Sequence, residues 1–497
     1  MIHKNTHKQF IRDEDGVYTV CGPFLTITMI IVGGLGLDVA NAIMMRTHLQ
    51  VAADSAAHAA IIARDTESEA DSKDIAVQVA RASMSYSKFG NAIQASDIQF
   101  GTWDASNQIF SASAGSREAV LVNTQRAADR GNAMATYFLR FIGMNDLTVV
   151  SQAVFETYRP TCLREGFVAN GRVDVQSNNN YLNGFCIHSN SHVEVNNNNT
   201  FETGVIVSMP NQADLVKPSS GWNQNPGLQN AMRSGAYRIR ILQRVEDMIA
   251  GFDNPLSDYF NSEYLDDPAV TQDIAPGTIT AADWTPGQVH AFDCGTLGAA
   301  PIALNDSVDD GTATIIRVAA GGNGNGNGGN GNGNGNGNGN GNGGTGTGTG
   351  STGGGGGVLK IKAGETLVRG VIYTDCELDI GSNATLESVL VISESTSVDA
   401  ISGAANITLG RNDSCTPGGG SQIITRGGFR IPAKLNVYGG QILAKGDIQF
   451  AANANGIEGV SMVAGGEIDG TSNSNMAFCN GAGMEHIFEA EYFRMAK

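Results

Sequence analysis

The alternation of apolar and polar positions begins with an uninterrupted apolar run. Residues 20–37 carry no charged side chain and include Phe24, Leu25, Ile27, Ile30, Ile31, Val32, Leu35 and Leu37. As a helix they reach about 27 Å, close to the hydrocarbon thickness of a bilayer, and so predict a membrane span. Asp38 marks the exit into water. Beyond it Ala42, Met45, Leu49, Ala52, Ala56, Ala59 and Ala63 recur at alternating three- and four-residue steps. This heptad seam of small side chains continues the helix and predicts close packing against a second helix. The polar residues 65–73 are expected to end it. Ile75, Val79 and Met84 predict a short second helix, and residues 98–103 and 119–122 predict two strands. Residues 133–141 read as a helix, and residues 147–150 open a last strand.

From Val173 the pattern becomes a repeat. Val173, Val175, Tyr181, Gly184 and Ile187 return twenty residues later as Val193, Val195, Phe201, Gly204 and Val207. The same offsets fit Leu359, Ile361, Leu367, Gly370 and Tyr373, then Leu378, Ile380, Leu386, Val389 and Ile392. They fit again at Phe429, Ile431, Val437, Gly440 and Leu443, and at Ile448, Phe450, Gly459, Val460 and Met462. Apolar residues two apart are inward positions of short strands, and the glycine sits where the backbone turns. Such a rung predicts a parallel β-solenoid. Asn178 to Asn180 and Asn196 to Asn199 occupy equivalent places, where asparagine tolerates left-handed turns and can bond along a stack.

Between Met209 and Val358 the repeat is interrupted. Asn225-Pro226-Gly227 opens a predicted helix carrying Leu228, Met232, Ile239, Leu242 and Ile249, stopped near Gly251. Residues 321–357 are almost pure Gly with Asn, then Thr, and predict a flexible linker. The expected fold class is α+β: a long N-terminal helix with a small α+β domain, then a parallel β-solenoid with a helical insertion. The expected boundaries are 1–19 for a polar N-terminus, 20–63 for the span and its continuing helix, and 64–160 for the small domain. First rungs at 161–209, an insertion at 210–320, the linker at 321–357 and the remaining rungs at 358–497 complete the chain. Ile487, Phe488, Tyr492 and Phe493 are expected to cap the open end.

Composition narrows the function. A net charge of −18 excludes nucleic-acid binding through phosphates by the chain as a whole. Cys21 lies in the span, and Cys162, Cys186, Cys294, Cys376, Cys415 and Cys479 are candidates for three disulfides in an oxidising compartment. Their scatter, without a Cys-x-x-Cys pair, argues against zinc. Asp174 and Glu194 fall at equivalent outward positions of successive rungs, about 4.8 Å apart, near the spacing of paired glycosidase carboxylates. Lys360, Asp379, Arg430 and Gln449 share that offset, which favours a solvated face. The pair could also share a calcium ion, but no dense Asp-x-Asp loop accompanies it. His188 and His192 sit on a turn and suit a surface role better than a metal, and Asp309-Asp310-Gly311 reads as a turn. Neither a dinucleotide-binding nor a phosphate-loop motif is present, so no cofactor and no enzymatic activity are expected.

The span and the motif after it carry a family resemblance. Gly36-Leu37-Asp38-Val39-Ala40-Asn41-Ala42, followed by Arg46-Thr47-His48-Leu49-Gln50-Val51-Ala52-Ala53-Asp54-Ser55-Ala56-Ala57, resembles TadG-like proteins of the tight-adherence (Flp) type IV pilus assembly system. The likeness covers about residues 10–160, and His58 stands where the family usually has an apolar residue. It implies an assembly helix marked by Asp38, Ala42, Arg46, Leu49, Gln50, Ala52, Ala53, Asp54 and Ala56, with other pilus or pilin-like subunits as partners. The von Willebrand-type Asp-x-Ser-x-Ser metal motif of some relatives is missing, and its function is not carried over. Lys4, Lys8 and Arg12 before the span place the N-terminus in the cytoplasm and the bulk in the periplasm or outside, with Asp13, Glu14 and Asp15 diluting the bias. The apolar run is long for a signal peptide and lacks a small-x-small cleavage pattern, so an uncleaved anchor is expected. Gly16-Val17 is not read as a prepilin cut, because Cys21 replaces the glutamate required after it. The expected function is a non-enzymatic, inner-membrane-anchored component of pilus assembly or a related secretion apparatus, whose solenoid contacts protein or polysaccharide. A tethered surface adhesin and a solenoid polysaccharide lyase or hydrolase are the alternatives.

Overall fold

The computed structural model of the chain describes residues 15–252, 254–257, 259, 271–273, 279–285, 287–294, 301–304, 313–319, 357–470, 473–477, 479 and 488–497. Residues 1–14, the linker at 321–356, Asp309-Asp310-Gly311 and Ile487 lie outside them. The chain divides into two compact units, Met1–Tyr158 with Glu491–Lys497, and Arg159–Ala490.

The first unit is built on helix α1, Asp15–Ala63, which runs unbroken for 49 residues and takes in residues 15–19. Among the described residues it is the one helix long and apolar enough to cross a membrane. Its first half exposes Phe24, Leu25, Ile27, Met29, Ile30 and Val32. Its second half buries Leu49, Ala52, Ala53, Ala56, Ala57, Ala60 and Ile61. The helix ends at residues 64–68, a shorter break than the polar run suggested. The Ser68 hydroxyl accepts the Asp71 N–H and caps helix α2, Glu69–Ser83, so residues 69–73 are already helical. Lys73 reinforces that first turn through an ion pair with Glu69 at 2.7 Å.

Strands β1 (Ile98–Asp104), β2 (Ile109–Ala112) and β3 (Ala119–Arg126) pair antiparallel. The predicted helix at 133–141 does not form. Instead β4 (Met134–Ala135) pairs with β5 (Asp146–Leu147) around a 3₁₀ turn, Leu139–Ile142. The cause is tertiary: the Asp38 carboxylate takes the backbone N–H groups of Tyr137, Phe138 and Leu139 at 2.7, 2.8 and 2.7 Å. Strand β6 (Val149–Tyr158) completes the sheet beside β3, and Tyr492–Met495 pairs antiparallel with its far edge. Tyr492 and Phe493 therefore extend this sheet and do not cap the repeat, because β6 offers an unpaired edge opposite Tyr158.

The second unit contains, among its described residues, a 22-stranded sheet whose pairings are parallel. The N-terminal repeat stacks in register, Gly166 on Cys186 and Cys186 on Ile206, with Val173 on Val193 and Tyr181 on Phe201. Downstream, Leu359 lies on Leu378, Leu367 on Leu386, Phe429 on Ile448 and Leu443 on Val463. A layer that the repeat template passes over, Ile401–Gly403, Thr408–Leu409 and Gln422–Thr425, lies between them. Asn178 and Asn198 adopt φ of 64° and 63°, and the Asn199 side chain accepts the Asn179 N–H at 2.9 Å. Phe167, Tyr181, Phe185, Phe201, Phe429 and Phe450 line one continuous core.

Two features revise the expected layout. The interval after Met209 supplies strands of its own: Met232–Ser234 pairs with residues 207–209, and Thr314–Ala319 pairs with residues 370–374. The single helix expected from Gly227 is accordingly split into Leu228–Ala231, Arg240–Gln243 and Val245–Gly251, since Met232 is drawn into the sheet. Second, the two ends of the unit meet inside the stack. Ser461 to Ala464 pair with Gly166 to Ala169, Ile468 with Val173, and Met476 with Tyr181. The layer after Ile448–Ala464 thus takes Ile468–Gly470 and Asn475–Ala477 from one end of the unit and Gly166–Ala169 from the other. Three disulfides, Cys162–Cys186, Cys294–Cys376 and Cys415–Cys479, cross-link this unit, with Cα separations of 4.9, 6.6 and 5.7 Å. Cys21 is free and exposed.

Candidate functional site

Two places hold the residues singled out by the sequence. The first is α1 beyond Asp38. Heptad spacing of small side chains presents a flat stripe, and here that stripe meets the unit's own sheet and α2. Leu49, Ala52, Ala53, Ala56, Ala57 and Ala60 pack with Ile98, Phe100, Val120, Val122 and Ala153. The motif polar groups serve the same docking. Gln50 donates to Asp54 at 2.7 Å and to the Gln152 carbonyl at 3.1 Å, Thr124 donates to the Leu49 carbonyl, and Ser151 to that of Arg46. Ala42 is half-buried at the margin of this core, while the Arg46 side chain is exposed. The seam expected to receive a partner helix is therefore filled by the chain itself. Ile43, Met44, Val51 and Ile62 instead form the apolar outer positions, 62, 54, 52 and 41 % exposed. Asp38 is fully buried and tied to residues 137–139, a structural role that its place at the end of an apolar run did not announce.

The second place is a column of acids in the parallel sheet. Glu194 and Asp469 stand on either side of Asp174 in register. Arg172 donates to Asp174 and Glu194, both at 3.0 Å, and to Glu467 at 3.2 Å. Burial, with the neighbouring Glu194 and Asp469 carboxylates, pushes the Asp174 acid up to about 6. The Arg172 guanidinium is held above its ordinary range by its hydrogen bond to Glu194. The pairing of Asp174 with Glu194 was legible from the repeat. Arg172 and Asp469 were not singled out, although Ile468-Asp469-Gly470 follows the same strand template as Val173-Asp174-Val175. Chemically this is a ladder with one guanidinium shared among three carboxylates, so its acids outnumber their cation and the column stays net negative.

His188 is buried within Cys186–Ser189 and not on a surface turn. Its Nδ1 meets the Ser208 hydroxyl at 2.7 Å and its Nε2 the Asn190 side-chain oxygen at 3.0 Å, so both ring nitrogens are engaged. Burial lowers its basicity. His192 contacts Ser191 separately. Among the described residues the closest grouping of metal-type donors is Cys415, Glu458 and Cys479, and its two sulfurs are joined to each other.

Comparison with known families places both regions. The Flp pilus-assembly TadE/G-like family matches residues 23–72, and a domain of unknown function, DUF7867, matches residues 166–318 and 354–480. The gap in the second match falls on the Gly/Asn-rich tract. No curated protein and no solved structure matches the chain.

Proposed function

We propose that this chain, which belongs to the DUF7867 family and carries a TadG-like segment at its N-terminus, is a non-enzymatic, membrane-anchored component of Flp pilus assembly. The observation that carries the reading is one continuous helix with two halves of different character. Its exposed apolar first half suits lipid, and its second half bears the TadE/G-like motif locked into a small folded domain. A helix so constructed holds its domain at a fixed distance from the bilayer surface. The basic residues Lys4, Lys8 and Arg12 favour a cytoplasmic N-terminus, with the folded units in the periplasm or beyond. Three disulfides agree with that oxidising side.

The parallel pairings at 19- and 20-residue intervals support a β-solenoid for the second unit, in which both ends of the unit contribute to one internal rung. Its sides offer a long surface for protein or polysaccharide. The Arg172-bridged ladder favours a binding or structural face over a hydrolase, because Asp174 and Glu194 are both held by the Arg172 guanidinium.

The exposed face of α1 is where other pilus subunits are met. A photo-crosslinking side chain at Met44 or Val51 is expected to capture pilus-assembly or pilin-like proteins in cells, and one at the buried Ala52 is not. Capture of none from Met44 and Val51, with the protein folded and in the membrane, would leave a tethered adhesin as the better account. Cleavage of an acidic polysaccharide by the purified chain, lost in Asp174→Asn, would overturn the non-enzymatic reading.

A further inference from the structure

The turn between β4 and β5 has an unusual surface for a loop. Tyr137, Phe141, Ile142 and Met144 are 58, 74, 61 and 47 % exposed, although they are apolar or aromatic and adjacent. The loop lies along the apolar half of α1. An apolar cavity of about 320 Å³ is lined by Ile27, Ile30, Ile31 and Leu35 of the helix together with Phe138 and Phe141 of the loop. Gly34 makes the approach possible: a Cβ there would stand 2.2 Å from the Phe138 ring. Ile27 lies about 16 Å along the helix from Asp38, so the loop reaches well below the point where α1 leaves the apolar run.

Most backbone N–H groups of this loop find acceptors inside the unit. Tyr137, Phe138 and Leu139 donate to Asp38, Thr136 to the Asn145 carbonyl, Phe141 to Phe138, Gly143 to Arg140 and Met144 to Leu139. The Thr136 hydroxyl donates to the Met144 carbonyl at 2.6 Å. An unpaired backbone N–H or C=O in hydrocarbon is costly, so each of these bonds lowers the cost of placing the loop there. Arg140, with its guanidinium 5.5 Å from the Phe141 ring centre, has a stem long enough to reach lipid phosphates.

We infer that residues 137–144 form a finger that enters the hydrocarbon of the leaflet nearest Asp38, with lipid acyl chains covering Phe141, Ile142 and Met144. This rests on the reading of residues 20–37 as a membrane span. The exposed apolar surface of the finger is continuous with that of the span, which selects lipid as the occupant. Asp38 then acts as the positioning residue, fixing the finger against the helix at the membrane surface.

The test uses the full chain with Cys21→Ser, reconstituted in phosphatidylcholine vesicles containing spin-labelled lipid. An environment-sensitive fluorophore is attached in turn at Phe141→Cys, Ile142→Cys, Ile30→Cys in the span and Ser106→Cys in a distant exposed turn. The inference expects blue-shifted emission at both finger positions, with lipid quenching within about twofold of that at Ile30 and well above that at Ser106. Quenching at Ile30 but not at either finger position would overturn the finger and leave the span intact. Blue-shifted emission at the finger without lipid quenching would assign it to a protein partner or a second copy, and would equally overturn it. Absence of quenching at Ile30 would remove the span and the finger together.

Discussion

Replacing Asp174 with asparagine should make the second unit more stable at neutral pH, although the change removes an ion pair. In the folded chain this acid titrates at about 6, against an ordinary value of 3.8. Its folded state therefore prefers the protonated form. Below the ordinary value both folded and unfolded chains hold the proton, and the group has no effect on stability. As pH rises from there to the folded value the unfolded chain loses its proton first, and stability falls. Above about 6 the full penalty is present. Two pH units correspond to about 3 kcal/mol, reduced to about 1–2 kcal/mol by the solvent that reaches Glu194 and Arg172. The substituted amide keeps the shape of the protonated acid without the charge. Thermal unfolding of the full chain in detergent, followed by near-ultraviolet circular dichroism, should show Asp174→Asn melting about 2–6 °C higher at pH 7.5. The advantage should close as the pH approaches 4. A lower melting temperature for the variant at pH 7.5 would refute the reasoning. So would an offset that does not change with pH, because the ladder would then be held together by the Arg172–Asp174 attraction.

Three further outcomes follow from other parts of the structure. Asp38→Ala leaves three backbone N–H groups without their charged acceptor, and hydrogen exchange at residues 137–139 should accelerate about a hundredfold, read by mass spectrometry on the detergent-solubilised chain. Ala53→Leu forces a larger side chain into a filled core and should destabilise the first unit by about 1–3 kcal/mol in denaturant titration, whereas Val51→Ala on the exposed face should cost well under 1 kcal/mol. Peptide mapping without reduction should recover the linked pairs Cys162–Cys186, Cys294–Cys376 and Cys415–Cys479, and should find Cys21 alkylated.

How much of this was legible in the sequence varied with the range of the interaction. The apolar run at 20–37 and the strand offsets at 173–207 are local patterns, and the helix and the registers followed from them. The alanine seam revealed its period and its fit to a second helix, met here by Ala76, Val77 and Ala80 of α2. It did not reveal the sheet that packs beside it, because a row of small side chains fits a sheet as well as a helix. The expected helix at 133–141 failed because Asp38, ninety-nine positions before Tyr137, removes the donors a helix would have used. The layer at 401–425 escaped the template because a loop carrying Cys415 is inserted between Leu409 and Gln422. The meeting of Gly166–Ala169 with residues 461–464 was invisible for a different reason. Near-equivalent repeats specify what a layer looks like, and leave open which layer lies beside it.

The account depends on one chain joining membrane and pilus machinery through α1. The most direct measurement is fractionation of cells that make Flp pili, with the chain followed by antibody in inner membranes, outer membranes, intact pili and sheared pili. Protease added to spheroplasts would report sidedness in the same samples. The account predicts the chain in the inner membrane, resistant to alkaline extraction, with its folded units digested from the periplasmic side. Recovery of the mature chain as a freely soluble protein with residues 20–63 removed would contradict it.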